Sequence, residues 1–167
     1  MKQLILFAAI TVCIFSCNPS AENLSVENLA LVKKYLVAVE SNDTATMDSL
    51  MADNYIGYGP SVSDSANKAE ALGNWKYNMN NLYESIKYTR YQNISVTVKE
   101  GAEAEPGEWV SDWAYCTIKY KDGRGPVYVW VNAVYKIENG KIVKIRTFYN
   151  EADVLRQLGY DFVKVQK

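Results

Sequence analysis

The fold of this protein is decided by residues 127–159, VYVWVNAVYKIENGKIVKIRTFYNEADVLRQLG. Two runs rich in Val, Ile, Tyr and Trp, Val127–Ile137 and Lys141–Asn150, flank the pair Asn139-Gly140. Asn-Gly favours a two-residue β-hairpin, because both central positions of that turn need a positive φ. The stretch therefore predicts a hairpin that is followed directly by a terminal helix, Glu151–Leu158.

The turn also predicts the register of this hairpin, with Glu138 and Lys141 on either side of the turn. One face of the sheet then pairs Trp130 with Tyr149, Asn132 with Thr147 and Val134 with Ile145. The other face carries Val131, Ala133, Tyr135 and Ile137 with Ile142, Lys144, Arg146 and Phe148. Neither face is purely polar, so we expect both to be at least partly covered.

Composition indicates one globular domain and excludes some functions. The chain has 167 residues, of which 49% are hydrophobic and 22% charged, enough for one domain with a core. Its net charge of −1 argues against nucleic acid as a partner, which needs a concentrated basic surface. There is no histidine, the commonest general base and metal ligand, and we expect neither a metal nor a cofactor.

Residues 1–17 have the pattern of a secretory signal, with Lys2 followed by the apolar run Leu4–Phe15. This run would extend only about 18 Å as a helix, too short for a hydrocarbon core of roughly 30 Å. Ile14-Phe15-Ser16-Cys17 resembles a bacterial lipobox, whose cysteine carries the lipid anchor. We therefore expect a lipid-anchored envelope protein facing the periplasm, and plain secretion is the alternative because Phe15 departs from the usual small residue.

The remaining chain is organised as a tether, 18–24, a single domain, 25–160, and a tail, 161–167. Apolar residues at helical spacing predict helices from Ser25 and over 67–82, with a short helix from Asp43 between them. Period-two patterns predict a short strand before Pro60 and four antiparallel strands from Ile86 to Asn150. This order favours an α+β fold, with helices on one face of a curved sheet.

The order of elements and five short motifs resemble the nuclear-transport-factor-2-like superfamily, in particular the SnoaL-like group, which includes ketosteroid isomerases. The motifs are Lys34-Tyr35, Ser41-Asn42-Asp43, Met51-Ala52-Asp53-Asn54-Tyr55, Asn139-Gly140-Lys141-Ile142 and Phe148-Tyr149-Asn150. The resemblance covers about residues 24–160. It implies a conical half-barrel, in which an antiparallel sheet wraps around about three N-terminal helices, with a short C-terminal helix and a pocket inside the cone.

The resemblance also implies which residues line that pocket. Alignment through the Asn139-Gly140 turn, and back through the turn at Asp122–Pro126, gives Trp113, Tyr115, Trp130, Asn132, Ile145, Thr147 and Tyr149. Tyr35 matches the tyrosine that acts as a proton donor in the isomerases. An apolar aromatic pocket with a few polar groups is typical of a small-molecule site. Tyr35 and Asn132 are expected to converge there and to hold a carbonyl oxygen.

The isomerases of this superfamily use a carboxylate base, and the resemblance implies that Gly59 occupies its position. Glycine cannot accept a proton, and we interpret the nearby Asp53 and Asp64 as solvated. We therefore expect a protein that binds a small apolar ligand, or serves as a scaffold for a partner protein, without catalysis. The alternative is a cyclase or isomerase acting on a polyketide- or steroid-like carbonyl compound. A carboxylate within reach of the pocket centre would favour this alternative.

Two further expectations concern residues outside the pocket. A homodimer is expected across the outer face of the sheet, through Val131, Ala133, Tyr135, Arg146 and Phe148, because these residues are too apolar to stay in water. Cys116 is expected to be a buried, inert thiol, since no histidine could activate it.

Overall fold

A computed structural model describes residues 21–164 of the chain. The predicted signal peptide and Cys17 lie outside the described residues. Residues 21–24, which the sequence assigned to a tether, already belong to the first helix. No helix in the described range is long and apolar enough to cross a membrane.

The order of elements confirms the predicted α+β fold. Two helices and a strand come first: α1 (Ala21–Glu40), α2 (Thr44–Leu50) and β1 (Met51–Tyr58). A short strand follows, with a helix that ends in a π-helical turn: β2 (Ser65–Asn67), α3 (Lys68–Tyr77) and Asn78–Leu82. Four long strands and a last helix complete the fold: β3 (Tyr83–Val98), β4 (Gly107–Tyr120), β5 (Val127–Glu138), β6 (Lys141–Tyr149) and α4 (Glu151–Gln157).

Polar side chains cap the N-termini of three helices. The Asp43 carboxylate accepts a hydrogen bond from the Thr46 N–H at 2.9 Å, at the start of α2. At α3, Asn67 and Glu70 form a reciprocal capping box, which satisfies two N–H groups that a helix start leaves free. Asn150 caps α4 directly after β6, so the hairpin passes into the last helix without a loop.

The six strands form one curved sheet in the order β2-β1-β6-β5-β4-β3. The four long strands are antiparallel to one another, as predicted. However, β1 pairs with β6 in parallel, so the expectation of a wholly antiparallel sheet is wrong. This pairing is possible because the elements between β1 and β6 supply the long crossover that a parallel pair needs.

The concave face of the sheet holds the core. Val32 and Val39 of α1 pack there with Met47 of α2, and each is at most 1% exposed. From the sheet, Val110 and Ile142 are fully buried. The helices therefore close one side of the cone and leave the other end for a site.

Candidate functional site

A β-bulge in the last hairpin reverses part of the predicted register. Glu138 pairs with Lys141 across the turn, as expected, but Lys136 pairs with Lys144. The extra residue is Val143, and beyond it every pair is shifted by one residue. Because side chains alternate between faces, this shift changes which residues of β5 share a face with Ile145, Thr147 and Tyr149 of β6. The predicted pairs of Trp130, Asn132 and Val134 are therefore wrong.

The inner face of β5 carries the residues that were expected outside. Val131 pairs with Tyr149, Ala133 with Thr147 and Tyr135 with Ile145. All six of these residues line one cavity inside the cone, together with Tyr35 of α1. Four of the eight residues predicted for the pocket are thus brought together there: Tyr35, Ile145, Thr147 and Tyr149.

The other four predicted pocket residues lie on the convex face of the sheet. Asn132 pairs with Trp113, and Trp130 pairs with Tyr115, so the four do share a face. Trp113 and Trp130 are 39% and 53% exposed, and none of the four lines the cavity. The Asn132 amide donates instead to the Ser111 hydroxyl and the Asp112 carbonyl oxygen. The predicted convergence of Tyr35 with Asn132 is therefore wrong.

The cavity has a volume of about 660 Å³ and mostly apolar walls. Tyr35 and Tyr135 meet edge to face on the wall, with their ring centroids 6.1 Å apart. Burial raises the pKa of Tyr35 to about 12, against a smaller opposing effect of its hydrogen bond with Trp75. Tyr55 also lines the cavity, and glycine at 57 leaves room for its hydroxyl, which would lie 2.5 Å from a Cβ there. Such a cavity is of the size and polarity that small ligands occupy.

Asp112 of β4 is the only carboxylate in the described core, and it lines this cavity. Its side chain is on the inner face of the strand, and the residue is 2% exposed. Burial raises its pKa from 3.8 to about 6. A carboxyl group that titrates close to neutral pH is suited to accept and return protons, so Asp112 is the main candidate for chemistry in the cone.

Asn93 of β3 lies directly opposite Asp112 in the sheet. With its amide nitrogen turned towards Asp112, Asn93 donates a hydrogen bond to the carboxylate Oδ1 and another to the Gln92 carbonyl oxygen. Within the described part of the chain, no other hydrogen-bond donor reaches the Asp112 carboxylate. Its second oxygen, Oδ2, therefore has no hydrogen-bond donor among the described residues.

Asp112 was not predicted as a site residue, although the pattern of residues around it in β4 indicates that it is buried. Asp112 alternates with Val110, Ala114 and Cys116, all of which are buried on the same face of β4. A charged residue among apolar residues at period two indicates a carboxyl group that faces a core. Cys116 is buried as predicted, and burial raises the pKa of its thiol to about 12.

Comparison with known proteins identifies the fold. No family model matches the sequence, and no curated protein matches it either. Solved structures do match: an LEH-like epoxide hydrolase from M. tuberculosis is 17% identical with a TM-score of 0.61, over 81% of this chain and 91% of that one. A candidate polyketide cyclase from Xanthomonas campestris pv. campestris is 16% identical with a TM-score of 0.62, over 80% of this chain and 98% of that one.

A nuclear-transport-factor-2-like protein from Burkholderia pseudomallei is 13% identical with a TM-score of 0.60, over 80% of this chain and 98% of that one. The chain has the nuclear-transport-factor-2-like fold. This confirms the fold that the resemblance implied, a cone formed by a curved, unclosed sheet and helices.

In the nuclear-transport-factor-2-like cone, the position implied for the isomerase base is Gly59, and Asp64 lies against it. A Cβ on Gly59 would lie 2.7 Å from Oδ2 of Asp64, so the carboxyl group occupies the space beside the glycine. Asp64 is exposed and accepts a hydrogen bond from the Ser61 N–H at 3.3 Å. It lines the cavity at its mouth, and thus supplies a second carboxylate to the same space as Asp112.

Helix α4 and the residue that follows it form one wall of the cavity, through Val154, Leu155 and Leu158. Gln157 holds this helix to β5: its Oε1 accepts from the Tyr128 N–H at 2.9 Å, and its Nε2 donates to the Tyr128 carbonyl oxygen at 2.8 Å.

Among residues 21–164, no group of three His, Cys, Asp or Glu side chains could hold a metal ion.

The convex face of the sheet is strongly aromatic. Trp130, Phe148, Tyr128 and Trp113 are all between 39% and 53% exposed. Of the five residues predicted for a dimer surface, Arg146 and Phe148 do lie on this face. Val131, Ala133 and Tyr135 line the cavity instead, because the bulge at Val143 moves them to the inside.

Proposed function

We propose that this protein is an enzyme that acts on a small, largely apolar molecule by proton transfer inside the cone, with Asp112 as the base. The observation that carries the proposal is a carboxyl group that is 2% exposed and lines a tyrosine-walled cavity of about 660 Å³. A molecule bound there would be shielded from water, and its reacting proton could be taken by the free Oδ2 of Asp112.

Proteins of known structure with a similar fold are consistent with this chemistry. The proteins of the same fold include an LEH-like epoxide hydrolase and a candidate polyketide cyclase. Hydrolysis of an epoxide needs a base for the attacking water, and cyclisation next to a carbonyl needs a base for a C–H proton. One buried carboxylate can serve either reaction, so we propose epoxides and carbonyl compounds as the substrate classes.

The sequence predicted binding without turnover, because Gly59 occupies the position of the isomerase base and cannot accept a proton. Asp112 supplies the carboxylate whose absence favoured that expectation, and Asp64 places a second one beside Gly59. Binding alone is the second candidate function, and it is favoured by the absence of any Lys or Arg from the cavity lining of the described chain, since no cationic group there could stabilise an oxyanion.

A substrate panel tests the proposal. The protein is incubated separately with apolar epoxides and with steroid and polyketide ketones, and the products are followed by chromatography. We expect turnover of at least one class by the wild-type protein and its loss in Asp112→Asn. Ligands that raise the melting temperature of the wild-type protein but are never converted would favour the binding function instead.

We also propose that Cys17 is lipidated and anchors the protein to the bacterial envelope, facing the periplasm. The proposal rests on the short apolar run that ends in Ser16-Cys17. Cys17→Ser should prevent acylation and release the protein from the membrane fraction. Mass spectrometry of the mature wild-type protein from membranes checks this, and a mass without acyl chains would contradict the proposal.

We further propose that two copies pair across the convex face, through Trp113, Trp130 and Phe148. Exposed aromatic side chains of this number are unusual on a monomer and are commonly covered by a symmetric partner. Trp130→Glu should give a monomer in light scattering, because it places a carboxylate at the centre of the pair. Glu84→Gln, also exposed but at the start of β3, is the control. A wild-type protein that stays monomeric at high concentration would refute the pairing.

A further inference from the structure

The charged side chains that line the cavity are all acidic. They are Asp112 in the interior and Asp64 and Glu151 towards the mouth. Within residues 21–164, no lysine or arginine contributes to the lining. Arg146 lies close in sequence to the wall residues, but it is on the convex face, where its guanidinium group stacks on the Tyr58 ring at 4.8 Å. The interior potential is therefore set by carboxylates.

Asp112 has no counterion of its own in the described chain. Every lysine or arginine that forms an ion pair there is paired with Glu40, Asp48, Asp53, Glu105, Asp122 or Glu138. Asn93 can donate to Oδ1 only, and Oδ2 is left without a donor. A buried carboxylate with an open oxygen is stabilised by a bound group that brings positive charge or hydrogen-bond donors.

The walls around Asp112 suit a cation. Tyr35, Tyr88 and Tyr135 line the cavity with Trp75, and Tyr149 lines it towards the mouth. The electron-rich faces of such rings attract ammonium groups, and more strongly when water is excluded. Tyr149 also lies near both mouth carboxylates, since Glu151 and Asp64 contribute, after burial, to a raised pKa of its hydroxyl.

We propose that the cavity selects molecules that carry a protonated amine, with Asp112 as the counterion, over neutral and anionic molecules of the same shape. This inference rests on the proposed function to the extent that the cone must bind a small molecule. It concerns which molecules the cavity binds, and it predicts weak binding of carboxylate and phosphate compounds.

Three probes of the same shape test the selection: naphthylmethylamine, naphthylmethanol and naphthoate. Their affinities for the full chain are measured by calorimetry at neutral pH. We expect the amine to bind at least about tenfold more tightly than the alcohol, and naphthoate to bind more weakly than either. In Asp112→Asn the preference for the amine should largely disappear, whereas Asp53→Asn, which removes an exposed carboxylate outside the cavity lining, should keep it.

The outcomes separate this inference from the proposed function. Equal binding of all three probes would overturn the charge selection and leave the cavity as a small-molecule site. If none of the three probes bound, both the charge selection and the proposed small-molecule site would be overturned. If Asp112→Asn does not fold, Asp112→Ser provides the same loss of charge. An amine preference that persists in a folded Asp112 variant would show that Asp112 is not the counterion, and would overturn the proposal.

Discussion

Asp112→Asn is expected to lower kcat/KM for the substrate by about 10²–10⁴-fold, the usual contribution of a general base. The asparagine keeps the size and shape of the side chain but cannot accept a proton. Because the pKa of Asp112 is raised to about 6, the wild-type rate should increase as the pH rises through about 6 and then level off, since the base must be ionised. The pH dependence of kcat/KM measures both effects.

Asp64→Asn is the matched control for this experiment, because it removes the other carboxylate near the implied position of the base. We expect a much smaller loss of rate, since Asp64 is exposed and does not lie in the interior of the cone. A loss in Asp64→Asn that equals or exceeds the loss in Asp112→Asn would place the base at the mouth. An Asp112→Asn protein with unchanged kcat/KM would contradict the role of Asp112 altogether.

Asp112→Asn is also expected to stabilise the folded protein at neutral pH, by about 3 kcal/mol. The pKa of Asp112 is raised from 3.8 to about 6, so the folded state binds this proton more tightly than the unfolded state does. The stability that Asp112 contributes is therefore fully present below about pH 4 and is lost as the pH rises through about 6. At about 1.4 kcal/mol per pKa unit, the difference of about 2 units gives the expected value.

Urea unfolding of the wild-type and Asp112→Asn proteins at pH 7 and at pH 4 tests this prediction. The variant should be more stable at pH 7, and the difference should largely disappear at pH 4, where the wild-type carboxyl is protonated in the folded state and only partly ionised in the unfolded state. An exposed carboxylate such as Asp64 should show no comparable effect when it is changed to asparagine. A variant that is less stable than the wild-type protein at pH 7 would show that the ionised carboxylate is well solvated.

The fold could be predicted from the sequence because its signals are local. Asn139-Gly140 determines a turn whose two residues have φ of 51° and 70°, and the order of helices and strands follows from periodicity. Caps such as Asp43 and Asn67 sit where their side chains can reach the next N–H groups. The parallel pairing of β1 with β6 was not predictable in this way, because it depends on where distant elements meet.

The site was predicted less well, and the cause is a single extra residue. The turn determines pairing only as far as Ile137 with Ile142, and the bulge at Val143 then changes the face of every residue beyond it. Val143 is β-branched like Ile142 before it and carries no feature that marks a bulge. The resemblance placed Tyr35 correctly because a helix has no register to shift, whereas Trp130 and Asn132 depended on the register of the hairpin.

A titration of the Asp112 carboxyl carbon by NMR tests the central claim most directly, since the proposed chemistry requires a buried carboxylate that titrates near neutral pH. Comparison with Asp112→Asn assigns the signal. The predicted midpoint lies near pH 6, above the ordinary value of 3.8 for an aspartate. A midpoint at or below 3.8 would mean that Asp112 is solvated or paired, and would contradict its role as the base of this site.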